Sequence, residues 1–271
     1  MMAVFRKALR DSRRTILWLS IGLAVYAIMI LGFYPSILAN QEQFDQIIES
    51  YPPELMAFFL NGVDVEEFSF ANPDNFLQVY FGTWMVLIVG GMITYQAFNA
   101  VTNAERNGTM DVMMSFPVSR REMLLGRFLN TMVTILAVLT ACFVVFFIGT
   151  LVIEGFEVGV VDLALAIYSA FLILIAQAMF TYMLAAIFPS SSRWLGAAAY
   201  ALFFGSYLIF GFAGISETVD RLSPLLLFNY YDAGEIIRNG VDLVNWLVLG
   251  GVAVVFGAAA LWGIERKQLG V

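Results

Sequence analysis

The 271 residues contain no histidine and a single cysteine, and only 13% of them are charged. Without histidine there can be no histidine-based catalytic triad, histidine zinc site or histidine-ligated haem. Cys142 lies alone inside an apolar run, so the chain has neither a disulfide framework nor cysteines at metal-ligand spacing. There is no GxxxxGKS or GxxxxGKT phosphate loop and no soluble stretch to hold one, so any nucleotide chemistry has to come from a partner. Charge is also scarce, since a soluble domain carries roughly 25% charged residues.

The apolar residues that fill this space are gathered into six runs: 16–34, 76–101, 128–153, 163–188, 194–213 and 243–264. About 20 apolar residues cross the hydrocarbon core as a helix. The runs are continuous rather than alternating, which argues for helices and against a barrel. The expected fold class is therefore an all-α integral membrane protein: one transmembrane domain over residues 1–271, with six transmembrane helices.

The net charge of −7 is less informative than where the charges lie. If the N-terminus is placed on one side, 12 of the 14 basic residues fall there: five before the first run, four between the second and third, Arg193, and Arg266 with Lys267. Only Arg221 and Arg238 fall on the other side. The positive-inside rule then puts both termini in the cytoplasm. The acids distribute oppositely, with 16 of 21 outside, as a consistency check. The basic N-terminal stretch FRKALRDSRRT sets Val4, Phe5, Ala8 and Leu9 on one helical face, the pattern of a helix lying in the inner interface. A plain orienting flank gives the same pattern.

None of the six runs contains Asp, Glu, Lys, Arg or His. Intramembrane ionisable residues usually mark ion pathways or proton relays, so an ion-driven transporter is disfavoured. Gly90, Gly91, Gly205, Gly211, Gly250, Gly251 and Gly257 suggest close helix packing, and Gln96, Asn99 and Gln177 suggest bonds to neighbouring helices. Outside, residues 35–75 carry eight acids and no base, and read as two short amphipathic helices. Residues 214–242 include SPLLLFNYY, which suggests a re-entrant-like element or a lid.

Between the second and third runs, on the basic side, stands NAERNGTMDVMMSFPVSRREMLLGRF, residues 103–128. Asn107-Gly108 is a turn signal, Thr109 caps a short turn MDVMMS, and Pro117 ends it. Ser119 with Glu122 three residues later completes a capping box leading into the third span. The pattern is a short helix lying across the cytoplasmic membrane surface.

This segment resembles that of the ABC-2 type permeases, the membrane subunits of ATP-binding-cassette transporters. Members show a similar acidic residue, Gly-Thr, a short helix, and Pro-Val-Ser-Arg before the third span. FRKALRDSRRTILW, YPSI and LSPLLLFNYY extend the likeness over nearly the whole chain. The resemblance implies that the short helix is a coupling helix seated in a cleft on a separate ATPase subunit. It implies that Glu105 and Arg106 stand at the foot of the second span and that Gly108 and Thr109 start the helix. Met110, Val112, Met113 and Met114 would then offer apolar contact, and Pro117, Ser119 and Arg120 would fix the exit. Arg127 stands where many members carry Lys, a mild departure for a charge near the headgroups.

The resemblance further implies a non-catalytic, exporter-like subunit in a prokaryotic cell membrane, paired with a second permease copy or paralogue and surrounded by membrane lipids. ATP and Mg would sit on the partner ATPase, with no cofactor or metal on this chain and no nucleic acid among its partners. Drugs, natural products, peptides and lipids all suit an aromatic- and Met-rich interior. The uncharged spans also permit the alternative of a standalone membrane channel or scaffold protein without an ATPase partner.

Overall fold

A computed structural model describes residues 2–52, 68–106, 119–189, 192, 194–212 and 217–267, and among these the chain is helical with no strand. The elements are α1 (Met2–Ala39), α2 (Gln41–Glu49), α3 (Pro73–Leu77), a π-helical stretch Gln78–Met85, and α4 (Val86–Arg106). They continue with α5 (Arg120–Val152), α6 (Val160–Ile187), α7 (Trp194–Gly211) and α8 (Glu217–Asp220). Two single 3-10 turns, Ser223–Leu225 and Leu227–Tyr230, lead to α9 (Ala233–Asn239) and α10 (Leu243–Arg266). Six helical stretches are long and apolar enough to span a membrane: α1, Pro73–Asn103, α5, α6, α7 and α10. The chain is thus an all-α integral membrane protein.

Burial sorts these helices. Two-thirds of the apolar window is buried in α6 and in the second span, against 22% in α1. α6 is the axis: α10 runs along one side of it and α4 along another, while α1 packs along α5. The outer faces of α1, α5, α7 and α10 remain apolar and exposed, through residues such as Trp18, Val25, Ile148, Leu202, Leu247 and Val254. Lipid is the solvent those faces fit.

α1 is one unbroken helix, so the segment expected to lie in the interface runs on directly into the first span. The reason lies in the face already noted. Val4, Phe5, Ala8 and Leu9 are half-buried, whereas Arg6, Lys7 and Arg10 are exposed. A Cβ added at Gly126 of α5 would lie 3.0 Å from the Phe5 backbone nitrogen and 3.1 Å from Val4 Cβ. The apolar face is turned onto α5 at a close crossing that glycine permits.

Of the other glycines read as packing sites, Gly90 abuts the Phe203 ring and Gly91 the Tyr200 ring, joining α4 to α7; Gly257 faces Met179, joining α10 to α6. Gly205, Gly250 and Gly251 differ: an added Cβ there meets nothing within 4 Å. Their open sides face away from this chain's own helices.

The polar residues in the spans act mainly as interhelical ties. Gln177 of α6 donates to Thr94 Oγ1 of α4 at 2.9 Å and to the Ala199 carbonyl of α7 at 3.0 Å. Gln96 donates to Thr134 of α5 at 3.3 Å, and Tyr182 of α6 shares a 2.9 Å bond with Thr131 of α5. Asn99 turns back on its own helix, donating to the Tyr95 carbonyl.

At the external end, the Tyr34 hydroxyl donates to the Ala71 carbonyl at 2.5 Å, with the Gly155 carbonyl 3.2 Å away. The Tyr34 ring meets Phe76 and Phe156 edge-on at 4.9 and 5.0 Å, gathering the end of α1, the start of the second span and the α5–α6 turn. Of the external segment 35–75, the first part is the end of α1 followed by α2; residues 53–67, including the second expected helix, lie outside the described residues.

The SPLLLFNYY stretch forms the two 3-10 turns, with Phe228 buried against Phe203 and Tyr207 while Leu225 is exposed. Arg238 of α9 pairs with Asp74 at 2.5 Å, and Gln78 Oε1 accepts from the Ala233 and Gly234 backbone N–H groups at 2.6 and 3.3 Å. These bonds dock α9 on the start of the second span.

Gln177→Leu is expected to remove the α4–α6–α7 tie and leave the Ala199 carbonyl without that donor. At about 0.6–1.7 kcal/mol per intramembrane bond, the loss should lower the unfolding temperature of the detergent-solubilised protein by a few degrees. Gln96→Leu, which breaks one longer bond, should cost less in the same thermal melt.

Candidate functional site

Two regions carry chemistry beyond packing: the connection between α4 and α5, and a cavity between α1 and α4. Residues 107–118 of the connection, with Gly108, Thr109, Met110, Met113, Met114 and Pro117, lie outside the described residues. Glu105 and Arg106 close α4. The exit is described from Ser119 onward.

The Ser119 side chain accepts from the Glu122 backbone N–H at 3.2 Å, and Glu122 accepts from the Ser119 backbone N–H at 3.1 Å, so both halves of the capping box form. The next residue reaches across the bundle: Arg120 Nη1 donates to the Lys267 carbonyl at 2.8 Å and lies 3.4 Å from that of Ile264. These are carbonyls of the last turn of α10, which have no intrahelical donor, and a cation there also meets the negative end of the helix dipole. Arg121 pairs with Glu265, with a 2.6 Å bond from Nη2 to Oε2. Lys267 is buried and donates from Nζ to the Ala185 carbonyl near the end of α6 at 2.9 Å. The start of α5 and the ends of α10 and α6 are therefore clamped together beside the connection. The sequence pattern marked Ser119 and Glu122 but gave no sign of the α10 and α6 partners, which lie more than 60 residues further along the chain.

The cavity, about 510 Å³, lies where α1 and α4 diverge over α5. Asp11, Gln96, Asn99, Arg127, Asn130 and Tyr182 give it polar walls. Its α1 wall is fixed by Ser12, which donates to Asn130 Oδ1 at 2.9 Å, and its floor by Tyr182, whose hydroxyl lies 3.3 Å from the Arg127 carbonyl. Arg127, expected near the headgroups, lines this cavity. It is seven residues into α5 and so about 10 Å along the helix from Arg120. Its place in a cavity wall was not legible in the sequence because it stands one residue outside the apolar run.

Among the described residues no group of three His, Cys, Asp or Glu side chains is placed to hold a metal ion. On the external side, Asp232 caps α9 by accepting from the Glu235 N–H at 2.7 Å, and burial pushes its carboxyl above the ordinary range. It serves the helix terminus.

A family model described as an ABC-2 family transporter protein matches residues 2–269. No curated protein was found to match the chain.

Arg120→Ala is expected to fray the end of α10, raising amide hydrogen exchange at Ile264–Lys267 several-fold. Arg121→Ala removes an exposed pair, of a kind worth about 0–1 kcal/mol, and should leave that exchange nearly unchanged. Equal effects from the two variants would contradict the assignment.

Proposed function

The chain belongs to the ABC-2 transporter family, and from that premise we propose that it is the export-type permease half of an ATP-driven transporter, moved through the segment between α4 and α5. The family is one of membrane subunits that work with an ATP-binding-cassette ATPase, and the six apolar helices make this chain a multi-pass membrane protein.

In this reading a separate ATPase carries ATP and Mg, and its cleft receives the short helix containing Met110, Met113 and Met114. Two permease bundles, identical or paralogous, enclose the path in a prokaryotic cell membrane. The cargo is a drug, natural product, peptide or lipid. The observation that carries the reading is the clamp at the exit of the segment. Ser119 and Glu122 cap α5 while Arg120 and Lys267 tie its start to α10 and α6. A push delivered at residues 107–118 enters three spans together instead of bending one loop. Gly108, Thr109 and Pro117 delimit the pushed element, and Glu105 and Arg106 carry it back into α4.

Met113→Asp combined with Met114→Asp would place two carboxylates against an apolar cleft, each costly to desolvate without a partner. The expected result is at least a ten-fold loss of ATPase co-purifying with the tagged membrane chain. Transport-coupled ATP hydrolysis should fall in parallel. An intact complex with normal coupling would refute the docking role.

A further inference from the structure

The polar cavity between α1 and α4 does not end at its apolar floor. A second cavity of about 600 Å³ adjoins it and shares Thr15, Leu19 and Met92 with the first. Its remaining walls are Trp18, Gly22, Leu23, Tyr26 and Ile88, with Arg14 at its cytoplasmic end. The two form one groove, apolar over most of its surface, with its polar side chains gathered in the first cavity. Trp18, Ile88, Met92 and Tyr95 are all exposed along its rim, so it opens sideways.

The dimensions are those of one lipid in one leaflet. On α1 the lining runs from Ala8 to Tyr26, and on the antiparallel α4 from Asn103 back to Ile88. These are 18 and 15 residue steps, about 27 and 22 Å of helix. One leaflet with its headgroup region is about 20–22 Å deep. The first cavity lies at the basic, cytoplasmic end, and the second lies toward the bilayer centre.

The first cavity carries both signs of charge. Arg127 lines it from α5 and Asp11 from α1, and Arg14 stands where the two cavities meet. The Ser12 hydroxyl lies 2.9 Å from both the Ala8 carbonyl and the Asn130 amide, and with either as its acceptor Asn130 keeps an amide N–H for a ligand; Asn99 uses its amide nitrogen on Tyr95, which leaves its oxygen as an acceptor. Arg127 and the Asn130 amide suit a phosphate. Asp11 and the Asn99 oxygen suit a primary ammonium.

We infer that the α1–α4 groove binds one inner-leaflet aminophospholipid of the phosphatidylethanolamine type, with the phosphate at Arg127, the ammonium at Asp11 and an acyl chain along Trp18, Leu23 and Ile88. A trimethylammonium headgroup carries the same charge but has no N–H to give Asp11 and Asn99, so phosphatidylcholine is discriminated against. The site involves no nucleotide, and its occupancy can be read whether or not an ATPase drives the chain.

The test is native mass spectrometry of the full chain released from nanodiscs containing equimolar phosphatidylethanolamine and phosphatidylcholine with matched acyl chains. One phosphatidylethanolamine is expected to stay bound, favoured at least five-fold. Gly22→Phe fills the second cavity at a position where an added Cβ meets nothing within 4 Å, so the fold is spared; retention of both lipids should drop several-fold. Asp11→Asn should reduce the preference toward parity while lipid remains bound, and Arg127→Gln should lower retention of both headgroups. Equal retention of the two lipids by the unmodified chain would overturn the inference. Unchanged binding in Gly22→Phe would do so as well, as would a groove that retains no lipid because a second protein copy covers it.

Discussion

Gln177 sits at the centre of a helix bundle with no water to turn to, and its amide is held by Thr94 from one side and the Ala199 carbonyl from the other. In hydrocarbon, a polar group that loses its partner has nothing to replace it. This constraint explains why α6 is the helix around which the rest is arranged. Several of its polar residues reach neighbouring helices: Gln177 bonds to α4 and α7, Tyr182 to α5, and Ser169 to Trp246 of α10. Apolar packing alone would let the helices slide or rotate, because lipid tails are as apolar as leucine. The hydrogen bonds fix register, and the glycines at 90, 91, 126 and 257 let the backbones come close enough to make them.

Much of this was legible in the sequence because the bilayer imposes simple rules. The lengths of the apolar runs marked the six helices that are long and apolar enough to span a membrane. The capping box at Ser119–Glu122 could be read at single-residue resolution because its partners are three residues apart. What could not be read depends on distant partners. Whether the basic N-terminal helix lies on the membrane or packs along α5 is decided by Gly126, more than 100 residues further on. Gly205, Gly250 and Gly251 look in sequence just like Gly90 and Gly91, yet their open sides have no neighbour within this chain.

The cavity was missed for a related reason. Arg127 falls just outside the third apolar run, so a count of charges within runs passes over it. Asp11 was one acid in a basic segment, and Asn99 and Gln96 read as ordinary helix ties. Only when α1 and α4 diverge over α5 do they share a wall. The segment 103–128 shows the opposite case: its resemblance to the family is carried by a local pattern of turns and caps that needs no distant partner to be read.

The two ends of the bundle are fastened differently from its middle. On the cytoplasmic side Arg120 and Lys267 bind the ends of α5, α10 and α6 into one block. On the external side Tyr34, Gln78 and Arg238 bind α1, the second span and α9 into another. Between these blocks lies the α1–α4 groove, with Trp18 and Tyr95 exposed along its rim. With both ends of the bundle fastened, a molecule reaches that groove from the side, between two helices, rather than along the bundle axis.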